Sequence, residues 1–176
     1  MKEKTIVGIG SALVDMLLKE SDEFLKQIRG AKGGMSLVDK KFIQECISNT
    51  DVNPIIVPGG SACNTTIGIG RLGGSARFVG KLGNDETGNF FEASLKKNNV
   101  DPYLIKSDTP TGSVLSVITP DAERTMFTFL GASSETMPSE ITYECFKQAA
   151  VVHIEGYLLF NPELMMQIVR KTKESG

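Results

Sequence analysis

Pro58-Gly59-Gly60-Ser61-Ala62-Cys63-Asn64-Thr65-Thr66 sets a glycine pair directly before a helix start. Neither glycine carries a Cβ, so the backbone there can pass close to a ligand. The helix expected from about Ser61 to Leu72 opens with N–H groups that have no partner inside the helix. Ser61 and Asn64 stand three apart and share one helix face. Together these features suit hydroxyl groups or an anion. Taken alone, they are equally those of a loop and a capped helix, so the rest of the chain has to decide.

Upstream, Ile6, Val7 and Ile9 read as a buried opening strand. Ala12 to Lys19 alternates loosely and extends into a second. Ser21 is an N-cap for a short helix using Phe24, Leu25 and Ile28 and closed by Gly30. Asp39 caps another, with Phe42, Ile43, Cys46 and Ile47 on one face. Downstream, Ala76 to Leu82 is a strand, and Asn84 or Asp85 caps the helix holding Phe91 and Leu95. Ser113 to Ile118 and Thr125 to Leu130 are strands around the turn 119–123, a hairpin signal. Pro138 is read as starting a helix, and Val151 to Glu155 as a buried strand. Asn161-Pro162 caps a last helix running to Gly176. Strands separated by helices imply a mostly parallel α/β sheet. The hairpin breaks that alternation and is placed outside the main sheet, as a lid.

Composition narrows the function. The chain has 176 residues, 40% apolar and 23% charged, with a formal charge of −2. That is an ordinary globular balance. Without a basic stripe, nucleic-acid binding has no electrostatic support. The apolar run from Thr5 to Gly10 is too short for a signal peptide or a membrane span. Cys46, Cys63 and Cys145 show no metal-ligand spacing and no disulfide framework, which leads to the expectation of a reduced, cytoplasmic protein. Asn64-Thr65-Thr66 is read as a chance glycosylation match, and His153 as a strand residue. Gly8-Ile9-Gly10-Ser11-Ala12-Leu13 begins like a dinucleotide fingerprint, but Leu13 stands where the third glycine belongs. Gly74 to Lys81 is one residue too long for a phosphate loop, and Leu82 replaces the needed Ser or Thr. Asp85 and Glu86 suit a helix start more than acid–base work.

The longer pattern resembles a known family. Gly59 to Asn64, Gly68-Ile69-Gly70-Arg71-Leu72-Gly73-Gly74, Phe78-Val79-Gly80-Lys81-Leu82-Gly83-Asn84-Asp85 and Gly88 together resemble the N-terminal signature of the ribokinase/PfkB family. Gly8 to Asp15 looks like the family's first strand, and Pro110-Thr111-Gly112-Ser113 like the opening of its lid hairpin. Asp121-Ala122-Glu123-Arg124-Thr125-Met126 is similar to the turn of adenosine-kinase-like members. Ile154-Glu155-Gly156-Tyr157-Leu158 looks like the strand end beside the substrate. The resemblance covers essentially the whole chain. It implies a three-layer α/β/α sandwich with a small β lid, whose segments are about 12–19, 33–38 and 111–130, within one domain spanning 1–176.

It also implies transfer of the terminal phosphate of ATP, with Mg2+, to an alcohol on a sugar or nucleoside. Ser11, Leu13, Asp15, Gly34, Gly59, Gly60, Ser61, Asn64, Met126, Thr128 and Tyr157 would line the substrate, and Arg124 would face the phosphate. The residue types fit. A carboxylate such as Asp15 accepts from two neighbouring hydroxyls, Asn64 both donates and accepts, and a guanidinium fork suits phosphate oxygens. Met126, Thr128 and Leu130 would share one hairpin face, Phe127 and Phe129 the other. One of these faces closes over substrate or packs on the body. Glu155 adds a carboxylate without an assigned role. A homodimer through the lid is a further implication, with no membrane or nucleic-acid partner.

The family's base belongs to a later Gly-Ala-Gly-Asp motif that these residues do not contain. The expectation is therefore the N-terminal part of a longer kinase, lacking its base and ATP site. The alternative is a binding or regulatory protein of the same fold, and a Gly-Ala-Gly-Asp motif after Gly176 would favour the kinase. An adenosine-like ribonucleoside fits the branch resemblance. Gly34 and Ser36, where adenosine kinases often carry larger side chains, open the pocket to ribose, fructose or a keto-deoxy acid.

Overall fold

A computed structural model describes residues 4–28 and 30–175; the expected end of the last helix at Gly176 lies outside them. The chain builds two sheets. The first is parallel, in the order β6-β5-β1-β9, from β1 (Thr5–Ile9), β5 (Ala76–Gly83), β6 (Val100–Ser107) and β9 (Ala149–Ile154). The second, in the order β3-β8-β7-β2-β4, comprises β2 (Leu13–Lys19), β3 (Met35–Leu37), β4 (Ile55–Gly59), β7 (Gly112–Ile118) and β8 (Arg124–Phe129).

Strand alternation creates a layer on each face of the first sheet. On one side Ala76, Phe78 and Leu82 pack with Ala62, Cys63 and Ile67 of α3 (Ser61–Arg71) and Phe91 and Leu95 of α4 (Glu86–Lys97). The Phe78 and Phe91 rings meet edge-on at 5.4 Å. On the other side Val7, Ile9 and Val79 pack with Leu164 and Ile168 of α5 (Pro162–Glu174). The sheet is thus the middle of three layers.

The hairpin stands outside that sheet, as its break in the βα alternation predicts. Leu18, Leu115, Val117 and Phe127 bury one face of the second sheet under α1 (Asp22–Gln27) and α2 (Lys40–Ser48). Phe42 and Phe127 lie with ring centroids 5.1 Å apart. Phe127 and Phe129 therefore face α1 and α2. The predicted caps are present: Ser21 accepts from the Phe24 N–H at 3.1 Å and Asp39 from the Phe42 N–H at 2.7 Å. Asn161 likewise accepts from the Leu164 N–H at 3.1 Å, one residue before Pro162.

Two readings need correction. Pro138 opens only a 3-10 turn, Pro138–Glu140, not a helix. The strand expected to be buried at 151–155 is the edge strand β9, and Val151 is exposed because no neighbour covers it. His153 does sit on this strand. Tyr157, Leu159 and Phe160, on the turn that follows, are also exposed, Phe160 to 88%. An unpaired apolar edge invites pairing with another chain. The 176-residue chain is expected to self-associate at micromolar concentration. Sedimentation velocity tests this, and a monodisperse monomer with a sharp reversible melt would contradict it.

Candidate functional site

The chain passes between the two sheets at four points: from β1 to β2 through Gly10, Ser11 and Ala12, from β4 to α3 at Gly60, from β6 to β7 through Thr111, and from β8 to β9 through the segment after Phe129. Two of them, after β1 and after β6, leave the C-terminal ends of parallel strands, where α/β folds place their ligands.

Asp15 sits on β2 opposite Val57 of β4 and Val114 of β7. Pairing carries its face across the sheet: Val114 opposes Thr128, Ser116 opposes Met126, and Ile118 opposes Arg124. Asp15, Thr128, Met126 and Arg124 therefore share the face turned away from α1 and α2. Leu13, two residues before Asp15, lies on it too, opposite Gly59. Gly34 joins at the margin, where its carbonyl accepts from the Met126 N–H at 2.9 Å.

Burial pushes the Asp15 carboxyl above its ordinary value, and the charge of Arg124 opposes the shift. Gly59 and Gly60 make room for the protein's own atoms. A Cβ on Gly59 would strike the Asp15 carboxylate, and one on Gly60 would lie 2.5 Å from the Ser11 carbonyl oxygen. Gly60 also has φ of 91°, which an L side chain rarely adopts. Ser61 and Asn64 lie on the exposed face of α3, and their side chains form no hydrogen bond among the described residues.

Glu155, directly after β9, is buried to 2% exposure. Its carboxylate accepts the Ser11 N–H at 2.9 Å. Burial pushes its carboxyl up, and the nearby Ser11 and Ala62 N–H groups act against the shift. Cys63 lies beneath both carboxylates. Burial first, then the charges of Asp15 and Glu155, push its thiol up to about 12, so it is an inert wall. Tyr157 stands apart: it is exposed on its turn, and its hydroxyl makes no hydrogen bond among the described residues.

A second polar cluster ties the two sheets together. Asp85 accepts from the Thr111 hydroxyl at 2.6 Å, the Thr111 N–H at 2.9 Å and the Gly88 N–H at 2.8 Å. It caps α4 and holds the start of β7 to the end of β5. Burial pushes its carboxyl up, but those hydrogen bonds outweigh it and hold the group below its ordinary value. The stability it lends is complete above that ordinary value and is lost as pH falls through the depressed folded one. Asp85→Ala should cost about 2–4 kcal/mol at neutral pH, with the difference from wild type shrinking in acid. Denaturant titrations at two pH values test this; an equal gap at both would contradict it.

Sequence reasoning left Glu155 without a role because its partners, Ser11 and Ala62, are distant in the chain. The one local signal was Gly10, whose Cβ would collide with the Glu155 carboxylate. Lys81 was missed as well. It is buried on β5, donating to Glu140 at 2.8 Å and to the Glu135 carbonyl at 3.1 Å. The cavity beneath Gly10 and Gly80 is apolar and holds about 10 Å³, at most one water, so it is not the site. The candidate site is the open face between the Asp15 carboxylate and α3. Among the described residues no three His, Cys, Asp or Glu side chains converge on a metal position. No helix there is long and apolar enough to cross a membrane.

Comparison with known proteins bears on family and fold. Residues 36–176 match the family model described as pfkB family carbohydrate kinase. Among curated proteins, the chain is 34% identical to "Probable fructokinase-2" of Arabidopsis thaliana over 97% of its own length and 47% of the relative's. It is 35% identical to "Fructokinase-2" of Solanum lycopersicum over 68% and 38% respectively. Among solved structures, a probable sugar kinase from Rhizobium etli superposes with a TM-score of 0.89 at 28% identity, covering 100% of this chain and 55% of that one. The adenosine kinase from Sinorhizobium meliloti gives 0.87 at 28% identity, covering 99% and 54%. The chain spans about half the length of the curated relative it matches over most of its own length.

Proposed function

The chain belongs to the pfkB family of carbohydrate kinases, and on that premise we propose that it forms the substrate pocket and lid of an enzyme phosphorylating an alcohol of a sugar or nucleoside with ATP. The observation that carries this is the Asp15 carboxylate, which lies against the Gly59 backbone and shares a sheet face with Arg124. Asp15 accepts hydrogen bonds from two neighbouring hydroxyls of the sugar, and Asn64 and Ser61 contact it from α3. Arg124 meets the phosphate from the lid. Leu13, Gly34, Met126 and Thr128 close over the ring as the second sheet moves against the first. The described residues offer no metal position, so Mg2+ enters only as an implication of the family.

The transfer itself draws on a general base in a Gly-Ala-Gly-Asp motif, which these 176 residues do not contain. A ribonucleoside such as adenosine is favoured by the likeness of the Asp121–Met126 turn to adenosine-kinase-like members. A hexose is the second reading, supported by 34% identity to a protein named as a probable fructokinase. The exposed Leu37, Ile55 and Ile56 at the edge strands of the second sheet support a homodimer through the lid in the complete protein.

The test is a phosphotransfer assay on the complete protein, with ATP, magnesium and a panel of nucleosides and sugars. ADP release with one substrate is expected. Binding of a sugar or nucleoside without turnover would support instead a non-catalytic member of the same fold.

A further inference from the structure

The tip of the second sheet sorts its charges by face. On β2, Met16 and Leu18 pack with α1 and α2, so Leu13, Asp15, Leu17 and Lys19 alternate onto the pocket face. Pairing sets Lys19 opposite Ile118 of β7, and Ile118 opposite Arg124 of β8. The three residues form one row across three strands, on the face that carries Asp15. Adjacent strands lie about 4.8 Å apart, so the Lys19 and Arg124 backbones are about 10 Å apart. Both side chains are long and exposed, and they can meet over the half-buried Ile118 between them.

The acids of the neighbouring turns are held elsewhere. Lys32 donates to Asp22 of α1 at 2.6 Å and pairs with Asp121 at 2.7 Å. Asp121 also accepts the Thr119 hydroxyl at 2.7 Å. Glu20 accepts the Ser21 N–H at 3.0 Å and the Thr50 hydroxyl. Glu123 lies beside Gly33, where a Cβ would stand 3.1 Å from its carboxylate. Lys19 and Arg124, by contrast, form no ion pair among the described residues. The acid that shares their face is Asp15, four residues along β2 and so about 13 Å from Lys19. Its carboxyl responds to the Arg124 charge. The pocket face is therefore negative near the body and positive at its tip.

We propose that Lys19 and Arg124 together form a phosphoryl-binding site at the tip of the lid, with Lys19 as a second phosphate-binding residue beside Arg124. This rests on the kinase reading above, in which Arg124 meets the phosphate, and adds a residue to that site. A guanidinium fork takes two phosphate oxygens, and the lysine ammonium, a compact point charge, takes the third. With no carboxylate paired to either cation, nothing has to be displaced when the anion enters. The phosphoryl group comes from one of two sources, the terminal phosphate of ATP or a phosphate that the acceptor sugar already carries. Recognition is the same for both, and the experiment separates them.

The experiment compares wild type, Lys19→Gln and Lys19→Arg in the complete protein. Steady-state kinetics are run with the neutral acceptor that the phosphotransfer panel identifies and with fructose 6-phosphate. Calorimetry without ATP measures binding of the neutral acceptor alone. Lys19→Gln should lower kcat/KM roughly tenfold or more, the scale of one charge-assisted hydrogen bond. Lys19→Arg should recover most of that loss, and the affinity for the neutral acceptor should change by less than about twofold, a split that a purely structural role would not produce. A loss seen with the neutral acceptor assigns the site to the phosphate of ATP. A loss seen only with fructose 6-phosphate assigns it to a phosphate on the acceptor. Equal kinetics in wild type and Lys19→Gln with both acceptors overturn the proposal, and so does a loss matched by equally weakened binding of the neutral acceptor. If the wild type turns over no acceptor, the kinase reading fails. Titrations with ATP and with fructose 6-phosphate then decide the site by themselves, and equal affinities in wild type and Lys19→Gln overturn it.

Discussion

Asp15→Ala in the complete protein is expected to lower kcat/KM by roughly 10²–10⁴-fold. The figure follows from the chemistry of the site. A carboxylate accepting from two sugar hydroxyls makes two charge-assisted hydrogen bonds, each worth about 1.5–3 kcal/mol. Alanine removes both and leaves the two hydroxyls facing Gly59 without a partner. The same substitution should not harm folding. Burial raises the Asp15 carboxyl above its ordinary value, so at neutral pH its ionised form costs stability in the folded state. By linkage, a raised acid stabilises the fold only where it is protonated, and that contribution disappears as pH rises through the folded value. Asp15→Asn should therefore melt no lower than wild type at neutral pH while losing most activity. Steady-state kinetics and thermal melts on the two variants check both halves. Unchanged catalytic efficiency would remove Asp15 from the site, and a large fall in Tm would make it a structural residue.

Gly60→Ala is expected to be strongly destabilising. Gly60 holds φ at 91°, and its missing Cβ leaves room for the Ser11 carbonyl oxygen 2.5 Å from where that carbon would stand. Backbone in that region costs an L residue about 1–3 kcal/mol. A total of about 3 kcal/mol should lower Tm by roughly 6–12 °C. The strain falls on the crossing that carries Ser11 and the first turn of α3, so activity should fall even at temperatures where the variant is folded. Gly68→Ala is the control: its Cβ would meet nothing within 4 Å, and alanine favours a helix. A Gly60→Ala protein as stable as the Gly68→Ala one would contradict the account.

The elements legible in the sequence were those with local signals. Ser21, Asp39 and Asn161 each cap the helix that follows, and the alternation in β2, β7 and β8 gave those strands their place. Two of the strands passed over carry a proline. Pro58 lies in β4 and Pro102 in β6, and a proline reads as a break because it cannot donate to a ladder. Both strands are at the edge of their sheets, where that donor is dispensable. β3 is three residues long and exposed, too short to show a period. Of the candidate site, Gly59, Gly60 and the Ser61–Asn64 face were legible because a glycine pair before a helix is a local pattern, whereas Asp15 rested on the family resemblance of the opening strand. The Glu155 contact and the Asp85–Thr111 tie were not, since each joins residues that only the folded chain brings together.

The most direct test of the site is a crystal structure of the complete protein with the substrate that the phosphotransfer panel identifies. The account predicts two sugar hydroxyls within hydrogen-bond distance of the Asp15 carboxylate, Asn64 on the same ring, and the Glu155 carboxylate still on the Ser11 N–H. A ring bound elsewhere, or one whose hydroxyls leave Asp15 unpartnered, would contradict it.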